Sequence, residues 1–123
     1  MAPILFFWVF LGGTAGSLTR ELLAPLLPAP VIWLPILIIN VAASFLIGWL
    51  YGARDRLHPH AMHLGAVGFC GGMSTFSHFT RETSDMMLAG DLVQAAVSVA
   101  AAVMLGLAAA VAGEALGARR AGR

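Results

Sequence analysis

The stretch that decides the fold covers residues 68–80 and reads Gly68-Phe69-Cys70-Gly71-Gly72-Met73-Ser74-Thr75-Phe76-Ser77-His78-Phe79-Thr80. It closes a run from Leu57 to Thr80 that carries no charged side chain, histidines aside. Two adjacent glycines followed by hydroxyl side chains form a poor continuous helix. The stretch therefore predicts a membrane helix that breaks around Gly71–Thr75. Non-helical backbone at membrane depth needs cover from protein or a polar cavity. Broken helices supply free carbonyls to cations and free N–H groups to anions, so this break is a candidate ion site.

Charged residues are scarce on both sides of this stretch. The 123 residues are 59% hydrophobic and 11% charged, whereas soluble domains have about 25% charged residues. Three further runs lack any charge: Met1–Thr19, Leu22–Ala53 and Leu92–Gly113. A membrane helix needs about 20 apolar residues, and three prolines near the start of the long second run leave room for a turn and one helix. The sequence predicts an all-α membrane protein with one transmembrane domain over residues 1–123 and four spans, at about 4–24, 31–53, 60–80 and 91–114.

Several functional classes lack the residues they require. The chain contains no lysine and has a net charge of +1, so it has no basic footprint for nucleic acid. Its single cysteine, Cys70, excludes an intrachain disulfide. His58, His60 and His63 have no acidic or cysteine partner to complete a metal site. The hydroxyls of the broken helix lack a base positioned by an acid. The sequence therefore predicts that the chain is not an enzyme.

Arginines distinguish the two sides of the membrane. With four spans, one side receives Arg54, Arg56, Arg119, Arg120 and Arg123, and the other receives Arg20 and Arg81. The positive-inside rule then predicts a multi-pass protein of the cell inner membrane with both termini in the cytoplasm.

Four polar or aromatic residues are candidates for an ion path. Asn40 is the only amide in its span, and such a residue joins helices or lines a pathway. Arg20 ends the first span, where arginines often reach the interface. Phe76 and Phe79 are three residues apart and share a helix face. Their electropositive ring edges attract a small anion, although the same spacing also occurs in plain packing.

Small residues at four-residue spacing predict close helix packing. They are Gly12, Gly16, Ser44, Gly48, Gly52, Gly68 and Gly72.

Together these residues resemble the Fluc (CrcB-type) fluoride channel family over nearly the whole chain. The first span contains the family's GGxxGxxxR pattern, at Gly12, Gly13, Gly16 and Arg20. The second is similar to NxxGSFxxG, with Asn40, Ser44, Phe45 and Gly48, and with Ala43 in place of the first glycine. The third, GFCGGMSTFSHF, is close to GFCGGLTTFSTF and is the most specific of these motifs. The fourth span matches the family's final GLxxxxxG at Gly106, Leu107 and Gly113.

The resemblance implies a passive fluoride efflux channel that gives fluoride resistance. It implies an antiparallel, dual-topology homodimer in membrane lipid, with two pores. A sodium ion at the dimer centre would be held by the backbone carbonyls of Gly71 and Ser74. The residues along the fluoride path would be Asn40, Thr75, Phe76, Phe79 and Ser98, with Arg20 in the vestibule.

The chain departs from the family at several positions of the ion path. Ser98 replaces a frequent tyrosine, Ala102 a frequent serine and Ile36 a usual threonine. His78 replaces the threonine between the two phenylalanines. Gln94, one turn before Ser98, either compensates with its amide or faces the interface. The C-terminal arginines disfavour equal insertion in both orientations and leave a heterodimer with a paralogue as an alternative.

Two other membrane functions fit the size of the chain. A small antiparallel drug exporter needs a carboxylate within the membrane, and the only acid near the first span is Glu21. A non-transporting assembly subunit would explain the small residues but not the predicted break.

Overall fold

The computed structural model describes residues 2–120, without the side chains of Ala2 and Arg120. Every regular element in this part of the chain is helical, which confirms the predicted all-α class. The helices are α1 (Ala2–Leu23), α2 (Leu34–Gly52), α3 (residues 59–73), α4 (Phe76–Leu88) and α5 (Leu92–Arg120). Short 3-10 turns, Ala24–Leu26 and Arg54–Arg56, follow α1 and α2. Arg123, one of the arginines from which the orientation is predicted, lies outside the described residues.

Helices α2 and α5 pack along their length with their backbones in close approach. A Cβ atom added to Gly48 would overlap the backbone of Ala110, and one added to Gly113 would overlap the carbonyl of Phe45. The glycines of each helix thus receive the backbone of the other. The close packing predicted from the small residues of α2 is confirmed.

Helix α1 approaches α3 in the same way. Gly12 faces the backbone of Leu64, and Gly16 faces that of Phe69. Both contacts fall on the π-helical part of α3, His63–Phe69, which returns to α-helix over Cys70–Met73.

Within residues 2–120, two helices are long and apolar enough to cross a bilayer: Leu34–Gly52 and the Leu92–Arg119 part of α5. Only 28% and 11% of their most apolar windows are buried inside the chain. A core helix of a soluble protein would bury most of such a surface, whereas lipid leaves it outward. The outward apolar surface agrees with a membrane protein.

The helix break follows the glycine pair rather than including it. Gly71 and Gly72 are helical, and the extended residues are Ser74 (φ −73°, ψ 149°) and Thr75 (φ −144°, ψ 111°). Gly72 is needed for packing, because a Cβ there would overlap the carbonyl of Gly13. Helix α4 begins at Phe76 and continues past residue 80 to Leu88.

Candidate ion site at the broken helix

Asn40 forms two hydrogen bonds with the backbone of Thr75, in the extended segment between α3 and α4. The Thr75 backbone N–H donates to Asn40 Oδ1 over 2.8 Å, and Asn40 Nδ2 donates to the Thr75 carbonyl over 3.3 Å. In a continuous α-helix the Thr75 N–H would donate to the carbonyl of Gly71, four residues earlier. The Asn40 carboxamide on α2 therefore accepts the hydrogen bond that the Gly71 carbonyl would accept in a continuous helix.

The side chain of Thr75 has the same effect one turn later. It is the N-cap of α4, and its Oγ1 accepts from the His78 backbone N–H over 3.2 Å. This is the usual way in which a threonine satisfies an unpaired N–H at a helix start. In a continuous helix that N–H would donate to the carbonyl of Ser74. The break removes the helical donors of four carbonyls, those of residues 71–74. The two hydrogen bonds above account for the donors that Gly71 and Ser74 lose.

The neighbouring carbonyls of α3 are engaged by side chains. Arg20 Nη1 donates to the Gly72 carbonyl over 2.7 Å, and Ser17 Oγ donates to it over 3.3 Å. The Cys70 carbonyl accepts from both the backbone N–H and the hydroxyl of Ser74. Of the carbonyls of residues 70–72, that of Gly71 is the one left without a donor in the part of the chain that the structure describes.

Arg20 therefore contacts the end of α3, and its side chain is 18% exposed. A positive charge at a helix C-terminus is favourable because of the helix dipole. A long contact of 3.4 Å joins its Nε to Glu21 Oε1. Ser17 was missed by sequence reasoning. Its position three residues before Arg20 places both on one face of α1 and was the available signal.

A cavity of about 330 Å³ lies beside the break. It brings together four of the predicted path residues, and its lining consists of Asn40, Ser44, Ser74, Thr75, Phe76, Phe79, Ala102 and Val103. The ring centroids of Phe76 and Phe79 are 6.3 Å apart, with the ring planes at 45°. Thr75 is buried, whereas Phe76 is 78% exposed. Amide, hydroxyl and aromatic groups therefore converge on one space.

Ser98 does not line this cavity. It is 1% exposed, and its hydroxyl donates to the Ala95 carbonyl of its own helix over 2.9 Å. Ala102, one turn later on α5, takes the lining position and offers only a methyl group.

Gln94 contacts the start of α2. Its Oε1 accepts from Trp33 Nε1 over 2.8 Å. An indole N–H only donates, so the oxygen of the amide must face Trp33. Gln94 lines a second cavity of about 410 Å³ beside Glu82, Asp85 and Asp91. The contact with Trp33 was also missed, because nothing in the spacing of the two residues along the chain indicates it.

These observations define a class of protein. The chain is an all-α membrane protein in which a broken helix, a carboxamide from a neighbouring helix and an aromatic pair build a polar site.

Comparison with known proteins gives the family. The family described as CrcB-like protein, Camphor Resistance (CrcB), matches residues 7–114. A protein of Ruegeria pomeroyi, named fluoride-specific ion channel FluC, is 49% identical over 115 residues, which cover 94% of this chain and 91% of that protein. A protein of the same name from Deinococcus radiodurans is 39% identical over 121 residues, covering 94% and 96% of the two chains. The chain belongs to the CrcB family.

Proposed function

We propose that this chain is a subunit of a fluoride-selective channel through which fluoride leaves the cell passively across the inner membrane, giving fluoride resistance. Relatives that match 94% of the chain are named fluoride-specific ion channels. The chain moves an ion without changing a covalent bond, so it is a channel and not an enzyme.

The observation that carries this proposal is the position of the Asn40 amide beside the aromatic pair. One N–H of Asn40 Nδ2 donates to Thr75. An amide nitrogen has two N–H groups, and no second bond from this nitrogen is formed within the part of the chain that the structure describes. The other N–H is therefore available to an anion in the cavity that Phe76 and Phe79 also line.

The chemistry of the cavity suits a small anion. Amide and hydroxyl donors replace the water that a strongly hydrated anion loses on entering a pore. The ring edges of Phe76 and Phe79 add positive potential without adding a fixed charge. An interior-negative membrane potential drives an anion outward, by about 2.3 kcal/mol per charge per 100 mV.

The proposal includes an antiparallel homodimer with sodium at its centre. A twofold axis in the membrane plane would place the breaks of two copies against each other. The released carbonyls of Gly71 and Ser74 suit a hard cation, because such cations take oxygen ligands. A Cβ built on Gly71 has no atom within 4 Å, so the surface there is open. The heterodimer with an oppositely oriented paralogue remains the alternative assembly.

Sodium dependence tests this part of the proposal. The dimer in detergent is expected to melt at a higher temperature in sodium chloride than in choline chloride of equal concentration. Equal melting temperatures in the two salts would remove the sodium site and leave the anion path untouched.

The function itself is tested by efflux from liposomes that contain the purified chain. A potassium ionophore balances the charge, and chloride efflux is followed in parallel vesicles. Rapid loss of fluoride without loss of chloride is the expected result. No fluoride loss from a folded dimer would contradict the proposal for the homodimer and point to the heterodimer.

A further inference from the structure

The imidazole of His78 contacts the candidate ion site through the side chain of Thr75. Its Nδ1 lies 3.1 Å from Thr75 Oγ1. The same hydroxyl oxygen accepts from the His78 backbone N–H and lies 3.2 Å from Ser77 Oγ. Thr75 lines the cavity with Asn40, Phe76 and Phe79, so this imidazole contacts a cavity group directly.

The direction of the contact depends on the imidazole. A threonine hydroxyl has one proton to donate and two lone pairs that accept. In the neutral tautomer that carries its proton on Nε2, His78 Nδ1 can only accept, and the Thr75 hydroxyl donates its proton to the ring. The lone pairs then receive the His78 backbone N–H and the Ser77 hydroxyl. All hydrogen-bonding positions of the Thr75 hydroxyl are filled within α4 and its cap.

When the imidazole is protonated, Nδ1 becomes a donor. The Thr75 oxygen then accepts from Nδ1 and from the His78 backbone N–H, so both of its lone pairs are used. Its own proton must turn away from the ring, towards Ser77 or towards an anion in the cavity. The exchange reverses one hydrogen bond and moves no backbone.

We infer that His78 is a positioning residue that sets whether the Thr75 hydroxyl donates to an anion in the cavity, and that acid therefore increases the flux. This rests on the proposed function, because it requires fluoride to pass the cavity. A free hydroxyl proton adds one donor to those of Asn40, and the imidazolium charge adds attraction for an anion.

The charged side chains nearest His78 along the chain lie on its own helix. Arg81 and Glu82 are its neighbours on α4, one turn away, and Asp85 lies a turn further. Helix α2 carries no charged residue. On α1, Arg20 and Glu21 lie at the end that reaches Gly72. The charged side chains described on α5 are Glu114 and Arg119, both near its far end, and Asp91 precedes its first turn.

The test is the pH profile of fluoride efflux, with the same pH on both sides of the vesicle membrane. Histidine titrates between about pH 5 and 8. The native chain is expected to pass fluoride about threefold to tenfold faster at about pH 5.5 than at about pH 8, since one added hydrogen bond contributes about 0.5–1.5 kcal/mol. Protein-free vesicles at each pH measure the leak of hydrogen fluoride through lipid, which is subtracted.

Two variants separate the titration from the folding. His78→Asn keeps a polar partner near Thr75 but cannot titrate, and His78→Thr installs a small hydroxyl. The efflux rate of each is expected to be flat across this pH range, and either variant suffices if the other fails to assemble. His63→Asn, which changes a histidine bonded to the Pro59 carbonyl at the start of α3, is the matched control and keeps the native profile.

Three results would overturn the inference. A native efflux rate that does not change with pH removes it and leaves the channel function standing. An acid response that persists in both His78 variants assigns the response to another group. Absence of fluoride efflux at every pH contradicts the proposed function for the homodimer and removes this inference with it.

Discussion

The α2–α5 pair and the α3–α4 break use similar small residues for different ends. Along α2 and α5 the glycines accept the partner backbone, and both helices remain continuous. At the break, Gly72 accepts the backbone of α1 in the same way and is itself helical. The helix ends only where Asn40 and the Thr75 side chain take backbone donors from it.

The comparison shows that the glycines allow the helices to pack closely, whereas the polar side chains form the candidate ion site. Gly71 and Ser74 lose their helical donors because two other groups accept them. The neighbouring carbonyls of Cys70 and Gly72 are satisfied by the Ser74 and Arg20 groups. Side-chain hydrogen bonds thus satisfy some carbonyls at the break and leave others, those of Gly71 and Ser74 included, without a helical donor.

The largest effect is expected from adding a methyl group to the continuous pair. Gly113→Ala places a Cβ against the backbone carbonyl of Phe45, which cannot move without shifting α2. We expect a loss of about 3 kcal/mol in the free energy of unfolding, the upper part of the range for overpacking.

Thermal unfolding in detergent measures this effect. Gly106→Ala is the matched control on the same helix, because its Cβ would meet only the Ser44 hydroxyl at 3.6 Å. Equal melting temperatures for the Gly106 and Gly113 variants would show that close backbone approach is not what stabilises the pair.

An intermediate effect is expected from the aromatic pair of the site. Phe79→Ile keeps an apolar side chain but removes the ring edge from the cavity. We expect fluoride efflux to fall by about threefold to tenfold, the range set by aromatic interactions of about 0.5–1.5 kcal/mol, with dimer assembly unchanged. Phe76→Ile is expected to act in the same direction.

Phe10→Ile is the control for these variants, since Phe10 is 74% exposed on α1 and does not line the cavity. Unchanged efflux in both cavity variants would show that the rings only pack.

The smallest effect is expected from restoring a hydroxyl to α5. Ala102→Ser adds a donor at a position that lines the cavity. We expect the efflux rate to rise by about twofold, which corresponds to a weak neutral hydrogen bond of about 0.5 kcal/mol. Ala101→Ser, one residue earlier and outside the cavity lining, is expected to leave the rate unchanged. A similar rise in both variants would contradict a role for the cavity wall.

Local sequence was sufficient for the helical class and for the neighbourhood of the break. Charge-free runs and the cluster of hydroxyl residues after Gly72 are local signals. The contacts that shape the site are not local: Asn40 and Thr75 are 35 residues apart, and Arg20 reaches Gly72 over 52 residues. The sequence also did not predict that Ser98 is buried away from the cavity. Periodicity gives a helix face but not the rotation of that face against neighbouring helices. The roles proposed for Gly71, Ser74 and the fluoride path remain predictions.

The central claim is that Asn40 both clamps the break and lines the anion path, and Asn40→Asp tests it most directly. The carboxylate keeps an acceptor for the Thr75 N–H, so the break is retained, but it places a negative charge beside the cavity. Fluoride efflux from liposomes is measured at about pH 8, where a carboxylate normally stays ionised. The account predicts a folded dimer that passes no fluoride, beside a native chain that passes it rapidly. Native-like efflux through the dimer of the Asn40→Asp variant would contradict the claim and leave Asn40 with a structural role alone.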